Sequence, residues 1–392
     1  MAATVEQLID QAHAAGSSDV HLVCGLPPRY RVDGKLIDMP GHAPLTHDDC
    51  EDMARQLVGK NYKSIEDIGE LDAATTLAGV RIRINIFRQK GHASMALRLL
   101  SDKIPALDTL GLPRAVMNFP RIQRGIVLVT GETGSGKSTT MAALLDSINH
   151  TRHEHIITLE DPVEYVYNPD LCTINQREIG TDTESYANGL RAVLREDPDI
   201  VLIGEMRDLN TIETALTAAE TGHFVLGTLH TNSAAESIDR VVNVFPEGQQ
   251  QQIRMQLSTT LHAVLSQQLV PKIGGGRALA AELMIVTPAI RNLIREGKTP
   301  QIQNALATSA ELGSITMDNA LLDLYRSNKI DAQVALDASH DEEYVGRIVG
   351  NGTLISANAP SAAPASQAAA SFGGFGGLGR CVAGTCGFSV FV

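Results

Sequence analysis

The chain has 392 residues, room for two or three domains with ample cores. Its 32 Lys plus Arg against 45 Asp plus Glu leave a formal charge of −13, which argues against a broad nucleic-acid footprint, although a local basic channel in an oligomer would escape that argument. No run of 18 apolar residues is present, and MAATVEQLIDQAHAAG lacks a basic stretch ahead of an apolar one, so neither a membrane span nor a signal peptide is expected.

Val5, Leu8, Ile9 and Ala12 recur at helical spacing until Gly16, predicting a first helix over 4–15. DVHLV (19–23), RYRV (29–32) and KLIDM (35–39), broken by Gly25, Pro27, Pro28 and an Asp33-Gly34 turn, predict a strand followed by a hairpin. Two helical segments follow, at about 46–58 and 61–68. In VRIRINIF, Val80, Ile82, Ile84 and Ile86 alternate with Arg81, Arg83 and Asn85, which predicts a half-buried strand with a basic face. ASMALRLL (93–100) is its expected partner and adds Arg98. The first domain is thus read as a small α+β sheet over 1–100, with Pro105, Gly111 and Pro113 marking a linker over 101–113.

From residue 114 to about 350 a second domain is expected. IVLV (126–129), a helix over 137–149, HIITLED (155–161), a helix around 184–196, DIVLIGE (199–205), a helix over 208–220 and HFVLGTLH (223–230) alternate. Continuous apolar strands, each followed by a helix, describe a parallel sheet covered on both faces, a nucleotide-binding α/β core. Residues 233–345 read as mostly helical, including QQIRMQLSTTLHAVLSQQLV, PAIRNLIREG and TMDNALLDLYRS. Residues 351–392, rich in Ala, Ser, Pro and Gly, are expected to be disordered, with FSVFV as a short contact at the end. The five cysteines (Cys24, Cys50, Cys172, Cys381 and Cys386) are odd in number and scattered without zinc spacing, which points to a reducing compartment.

The chemistry begins at IVLVTGETGSGKSTTMAALLDSI. Gly131, Gly136, Lys137 and Ser138 satisfy the pattern of a loop whose backbone N–H groups and following helix N-terminus cradle phosphates. Lys137 can neutralise the β- and γ-phosphates and the Ser138 hydroxyl can hold Mg²⁺. Hydrolysis also needs a carboxylate to orient water. Glu205 ends one apolar strand, and Glu160, Asp161 and Glu164 follow another, where α/β enzymes keep their sites. His230 ends a third strand and either senses the γ-phosphate or is a structural hydrogen-bonder; His223 is the weaker candidate. The row Arg81, Arg83, Arg88 and Arg98 is either a solvated sheet face or faces a nucleotide across an interface.

On these motifs the sequence resembles the PilT family of type IV pilus retraction ATPases, within the wider secretion ATPase superfamily, over roughly residues 1–345. The resemblance rests on GETGSGKSTT, ITLEDPVE, LREDPDIVLIGEMRD, TGHFVLGTLHTNSA, the N-terminal SSDVHLVCGLPPRYRVDG, RIRINIFRQ and AIRNLIREGK (289–298). It implies an α/β fold: a RecA-like P-loop NTPase core, a PAS-like N-terminal domain and a helical C-terminal part. It further implies a homohexameric ring with nucleotide between the two domains, ATP and Mg²⁺ as ligands, and a cytoplasmic place at the inner-membrane base of the pilus. The partners would be the inner-membrane platform protein and the pilus machinery, with no direct nucleic acid. By resemblance Gly131, Thr133, Gly134, Ser135, Gly136, Lys137, Ser138 and Thr139 bind nucleotide, Glu164 polarises the attacking water, and Glu205 supports the metal through water. His230 would couple the γ-phosphate to domain movement, and Arg83 and Arg98 would bring charge from the N-terminal domain. Arg81 shares their face, and strand geometry does not separate it from Arg83. Ala289, Ile290, Leu293 and Ile294 would form one helix face, with Arg291, Arg295 and Lys298 outside. Glu132 stands where the family commonly has proline, and the tail resembles nothing in it. An accessory pilus or type II secretion ATPase, a nucleic-acid motor and a non-hydrolysing subunit remain as alternatives.

Overall fold

The computed structural model of the chain describes residues 3–356 apart from 33, 101 and 102. The expected Asp33-Gly34 turn and the start of the linker fall partly outside the described residues, and Cys381, Cys386 and FSVFV lie wholly outside them.

Helix α1 (Val5–Ala14) begins where Thr4 closes a capping box with Gln7, and it buries Val5, Leu8, Ile9 and Ala12. Strands β1 (Asp19–Leu22), β2 (Arg29–Val32) and β3 (Lys35–Asp38) follow, then helices α2 (His47–Val58) and α3 (Tyr62–Asp67), then β4 (Glu70–Leu77), β5 (Val80–Gln89) and β6 (His92–Leu99). These strands form an antiparallel sheet in the order β3-β2-β1-β6-β5-β4. Val80, Ile82, Ile84 and Ile86 pack with Met95 and Leu97 in one buried cluster with α1, α2 and α3. At roughly 1.5–3 kcal/mol for each such side chain, this face fixes the register, because a one-residue slip would expose all four. Strand β4 escapes the sequence reading: it is an edge strand whose Leu71, Ala73 and Leu77 are only partly buried, so its alternation is faint. Arg88 does not belong to the basic row. It continues the Val80–Ile86 side of β5 and donates to Glu51 Oε1 at 2.5 Å and to the Tyr62 hydroxyl at 3.2 Å.

After a 3₁₀ stretch over Arg114–Arg121 come β7 (Gly125–Thr130), α4 (Lys137–Asn149), β8 (His155–Glu160), β9 (Thr173–Glu178), α5 (Tyr186–Val193), β10 (Ile200–Ile203), α6 (Leu209–Glu220) and β11 (Phe224–Leu229). Then follow α7 (Ala234–Asn243), α8 (Glu247–Thr260), β12 (Leu261–Pro271), β13 (Arg277–Ile285), α9 (Pro288–Arg295), α10 (Ile302–Ala307), α11 (Met317–Arg326), α12 (Ala332–Asp337) and α13 (Glu342–Ser356). The second sheet has the order β13-β12-β7-β11-β10-β8-β9. Strand β7 shows why the apolar run is continuous: Ile126 and Leu128 pack into one core cluster, Val127 and Val129 into another on the opposite face. The expected class, an α/β core with an α+β N-terminal part and a helical C-terminal part, is the one observed.

Three details correct the sequence reading. The segment read as helix through residue 270 changes at Thr260: α8 stops and LHAVLSQQLVP becomes β12, parallel to β7. An apolar run of this length is ambiguous between helix and strand, and here the open hydrogen-bonding edge of β7 decides it, with Ala263 and Leu265 on one face and Val264 on the other. The guanidinium of Arg291 donates to the carbonyls of Ser258 at 2.6 Å and Thr259 at 3.1 Å, satisfying the end of α8 where the strand begins. Second, the sheet is mixed, because β13 runs antiparallel to β12. Third, β9 (TINQRE) is a polar edge strand with no apolar signature to predict it. Helix α13 continues to Ser356, beyond the position at which the tail was expected to begin.

Candidate active site

Parallel pairing aligns the carboxyl ends of the strands. Thr130 of β7 stands beside Leu229 of β11, Gly227 beside Ile203 of β10, and Ile203 beside Leu159 of β8. The segments that leave these strands carry the phosphate loop, His230, Glu205 and Glu164, so one sheet edge gathers groups that are up to about a hundred residues apart.

The loop 131–136 is shaped by backbone freedom. Gly131 has φ +138°, and a Cβ there would stand 2.2 Å from the Gln267 carbonyl oxygen; Gly136, at φ +95°, precedes the first residue of α4. Lys137 begins α4 and its Nζ donates to the carbonyls of Gly131 at 2.6 Å and Glu132 at 2.9 Å. Burial pulls its pKa below the ordinary lysine value, opposed by the charges of Glu205, Glu164 and Glu132. Thr133, Gly134 and Ser138 are exposed, and Thr139 Oγ1 lies 2.9 Å from the Tyr165 hydroxyl. Ser135 is buried, and neither its Oγ nor Gln267 Oε1 has a hydrogen-bond partner. Both residues line a cavity of about 310 Å³ that opens from Glu132–Ser135 toward Leu269, Met317 and His340.

Glu205 follows Gly204, where any side chain would meet the Tyr186 hydroxyl at 2.9 Å. Its Oε1 accepts from Arg207 Nε and stands 3.2 Å from His230 Nε2. Burial alone would raise the Glu205 carboxyl, but the Arg207 hydrogen bond and the charges of His230 and Arg207 outweigh it and hold the group below its ordinary value. The segment after His230 is pinned by Thr231 Oγ1 to Ser237 Oγ at 2.6 Å and by the Ala234 N–H to fully buried Glu282 at 2.8 Å.

The three acids after β8 separate cleanly. Glu160 accepts from Thr158 Oγ1 at 2.6 Å and Gln176 Nε2 at 3.1 Å, and burial pushes its carboxyl up. Asp161 is exposed. Glu164 is half-buried and near enough for its charge to act on Lys137. His223 hydrogen-bonds through Nδ1 to the Ala218 carbonyl at 2.9 Å, at the end of α6, away from this cluster.

Arg83 and Arg98 are directly opposed across β5 and β6. Arg98 is 67% exposed and donates to Asp19 at 3.0 Å, and Arg83 is exposed. Among the described residues no hydrogen bond or ion pair joins either to the phosphate loop, Glu164, Glu205 or His230. Arg81 does make contact, with Glu178 at 2.7 Å and the Val163 carbonyl at 3.2 Å. The sequence reading gave no role to Arg207, Tyr165, Gln176 or Glu178. The first two sit two residues from Glu205 and one from Glu164, a usable signal; the others lie on the unpredicted β9. In α9, Ile290 and Ile294 are buried as expected, Ala289 is exposed instead, and Arg291 points inward to α8 while Arg295 and Lys298 stay outside.

A profile of the type II/IV secretion system protein family matches residues 1–321. The chain is 47% identical over 335 residues to the type IV pilus retraction ATPase PilT of Pseudomonas aeruginosa, covering 84% of this chain and 96% of that one. It is 41% identical over 321 residues to a twitching motility protein of Neisseria gonorrhoeae, covering 81% and 85%. A crystal structure of the pilus retraction motor PilT with bound ADP superposes with a TM-score of 0.83 at 45% identity, over 88% of this chain and 99% of that one.

Proposed function

The chain belongs to the type II/IV secretion system protein family and, within it, to the PilT family, and we propose that it is an ATPase motor that couples ATP hydrolysis to type IV pilus retraction. The observation that carries the enzymatic half is the gathering of Lys137, Glu164, Glu205 and His230 at one sheet edge beside a phosphate loop. The pilus half is supported by the identity to retraction ATPases along most of the chain.

In this reading Lys137 and the loop N–H groups take the β- and γ-phosphates, with Gly131, Thr133, Gly134, Ser135, Gly136, Ser138 and Thr139 forming the cradle. The exposed Ser138 hydroxyl and the carboxylate of Glu205, held ionised by Arg207 and His230, are hard oxygen donors suited to Mg²⁺, the latter through water. Mg²⁺ would offset phosphate charge. Glu164 accepts a proton from the water that attacks the γ-phosphorus as the bond to the β-γ bridging oxygen breaks, leaving ADP and phosphate. His230 couples the γ-phosphate to Glu205. The protein works as a homohexamer at the cytoplasmic face of the inner membrane, against the pilus platform protein.

Arg83 and Arg98 would supply transition-state charge from the N-terminal sheet. Two guanidinium groups directly opposed on an exposed sheet face repel one another, and an anion between them removes that cost. Arg83→Ala or Arg98→Ala should lower turnover roughly 10- to 1,000-fold with the melting temperature unchanged. Wild-type rates in both would return these residues to a solvated face.

The function is tested by deleting the chain in its own host. Excess surface pili without twitching is the expected result; loss of pili would indicate assembly instead. Purified protein should turn over ATP equally with and without single-stranded DNA, and strong stimulation that falls steeply with salt would favour a nucleic-acid motor.

A further inference from the structure

We infer that Arg81 is a positioning residue for hydrolysis, which clamps the peptide ahead of Glu164 and so ties the alignment of the catalytic loop to the N-terminal sheet. The inference rests on the reading of Glu164 as the residue that activates water. Its basis is a closed ring of three hydrogen bonds around Val163. The Val163 N–H donates to Glu178 Oε2 at 3.1 Å, the Val163 carbonyl accepts from Arg81 Nε at 3.2 Å, and Arg81 Nη2 donates to that same Glu178 oxygen at 2.7 Å. Both polar groups of one residue are thereby fixed, and the next residue is Glu164. The ring is largely shielded: Val163 is buried, and the side chains of Arg81 and Glu178 are 18% and 10% exposed. In such surroundings a lost bond is not replaced cheaply by water.

Strand β9 holds the rest of the loop in the same way. Gln176, on the same face as Glu178, donates to the Tyr165 carbonyl at 2.7 Å and accepts from the Tyr167 N–H at 3.0 Å. Those bonds are internal to the second sheet's part of the chain. Among the described residues, the hydrogen bonds that cross from residues 3–100 to residues 114–350 are the two made by Arg81. Any shift of β5 against the second sheet is therefore delivered to the Val163 peptide. Arg83 lies two residues along on the same face, with Arg98 opposite it, so an anion drawing on that pair acts on the strand that sets Glu164. The geometry demands arginine: a lysine ammonium can pair with Glu178 or with the carbonyl but does not present the planar fork that reaches both.

The test measures steady-state hydrolysis and binding of a fluorescent ADP analogue on the full chain. Arg81→Ala should lower kcat about 10- to 100-fold while KM and ADP affinity change by less than about twofold, because the substrate contacts are intact and only the loop is misplaced. Arg81→Lys should also lose turnover, and adding Arg81→Ala to Glu164→Gln should cost nothing further. Equal losses in ADP affinity and kcat would make Arg81 a direct phosphate contact and overturn the inference. The same fold-loss in the Glu164→Gln background would overturn it too. If Arg81→Ala does not fold, Arg81→Lys decides, and wild-type kcat in that folded variant rejects the proposal. A dead Glu164→Gln beside a fully active Arg81→Ala sinks the inference alone, whereas full turnover in Glu164→Gln removes the role of Glu164 and the inference with it.

Discussion

Lys137→Ala should cut ATP turnover severely and weaken nucleotide binding by about 10- to 100-fold. The expected size follows from what surrounds the ammonium group. Glu132, Glu164 and Glu205 all lie close enough for their charges to act on it, and of the three only Glu205 has a second cationic partner among the described residues, Arg207. With the lysine gone, the incoming triphosphate faces Glu132 and Glu164 without the cation that offsets them, and a charge-assisted hydrogen bond worth roughly 1.5–3 kcal/mol is lost. The loss in kcat should be larger, about 100- to 1,000-fold, because preorganised positive charge is most valuable where negative charge develops in the transition state. ADP-analogue fluorescence and a steady-state phosphate-release assay separate the two effects. Retention of more than about a tenth of wild-type turnover would contradict the assignment. The fold should survive, since Nζ bonds only to the loop's own carbonyls.

Glu164→Gln should lower kcat by about 100- to 1,000-fold while leaving ADP affinity unchanged or slightly higher. The amide keeps the shape of the carboxylate but accepts no proton, and it removes one negative charge beside the phosphates. A kcat effect without a KM effect is the signature of an interaction used in the chemical step. Asp161→Asn is the matched control, because Asp161 is exposed on the same loop and should turn over normally. Similar losses in both variants would show that the loop responds to charge in general. In that case Glu164 has no special role.

The sequence reading reached the fold class and the strand ends that carry the candidate site, but not every element around them. GETGSGKSTT is contiguous, and its glycine requirements are largely local backbone requirements, so the phosphate loop could be read directly, whereas the close approach of Gly131 to the Gln267 carbonyl came only from the fold. Glu205 and His230 were legible because each ends an apolar strand, and parallel strands deliver their ends to one edge. Among Glu160, Asp161 and Glu164, sequence position alone left the choice open. Hydrogen bonds from Thr158 and Gln176 withdraw Glu160, and the latter comes from a strand with no apolar pattern to announce it. The helix expected through residue 270 failed for a similar reason: LHAVLSQQLV is apolar on both sides, and what made it a strand was the vacant edge of β7, over 130 residues earlier.

By itself, then, the sequence determined that this chain carries a phosphate loop at a strand-helix junction, which carboxylates and histidine end the neighbouring strands, and that β5 has an apolar and a basic face. All of these are set by residues adjacent in the chain or by a short period. The tertiary structure alone decided how the basic face is divided. A two-residue period places Arg81 and Arg83 on one side and says nothing more about either. Packing against β9 then holds a half-buried Arg81 on Glu178 and the Val163 peptide, and leaves Arg83 exposed opposite Arg98. The difference lies in long-range contact, which strand periodicity does not encode.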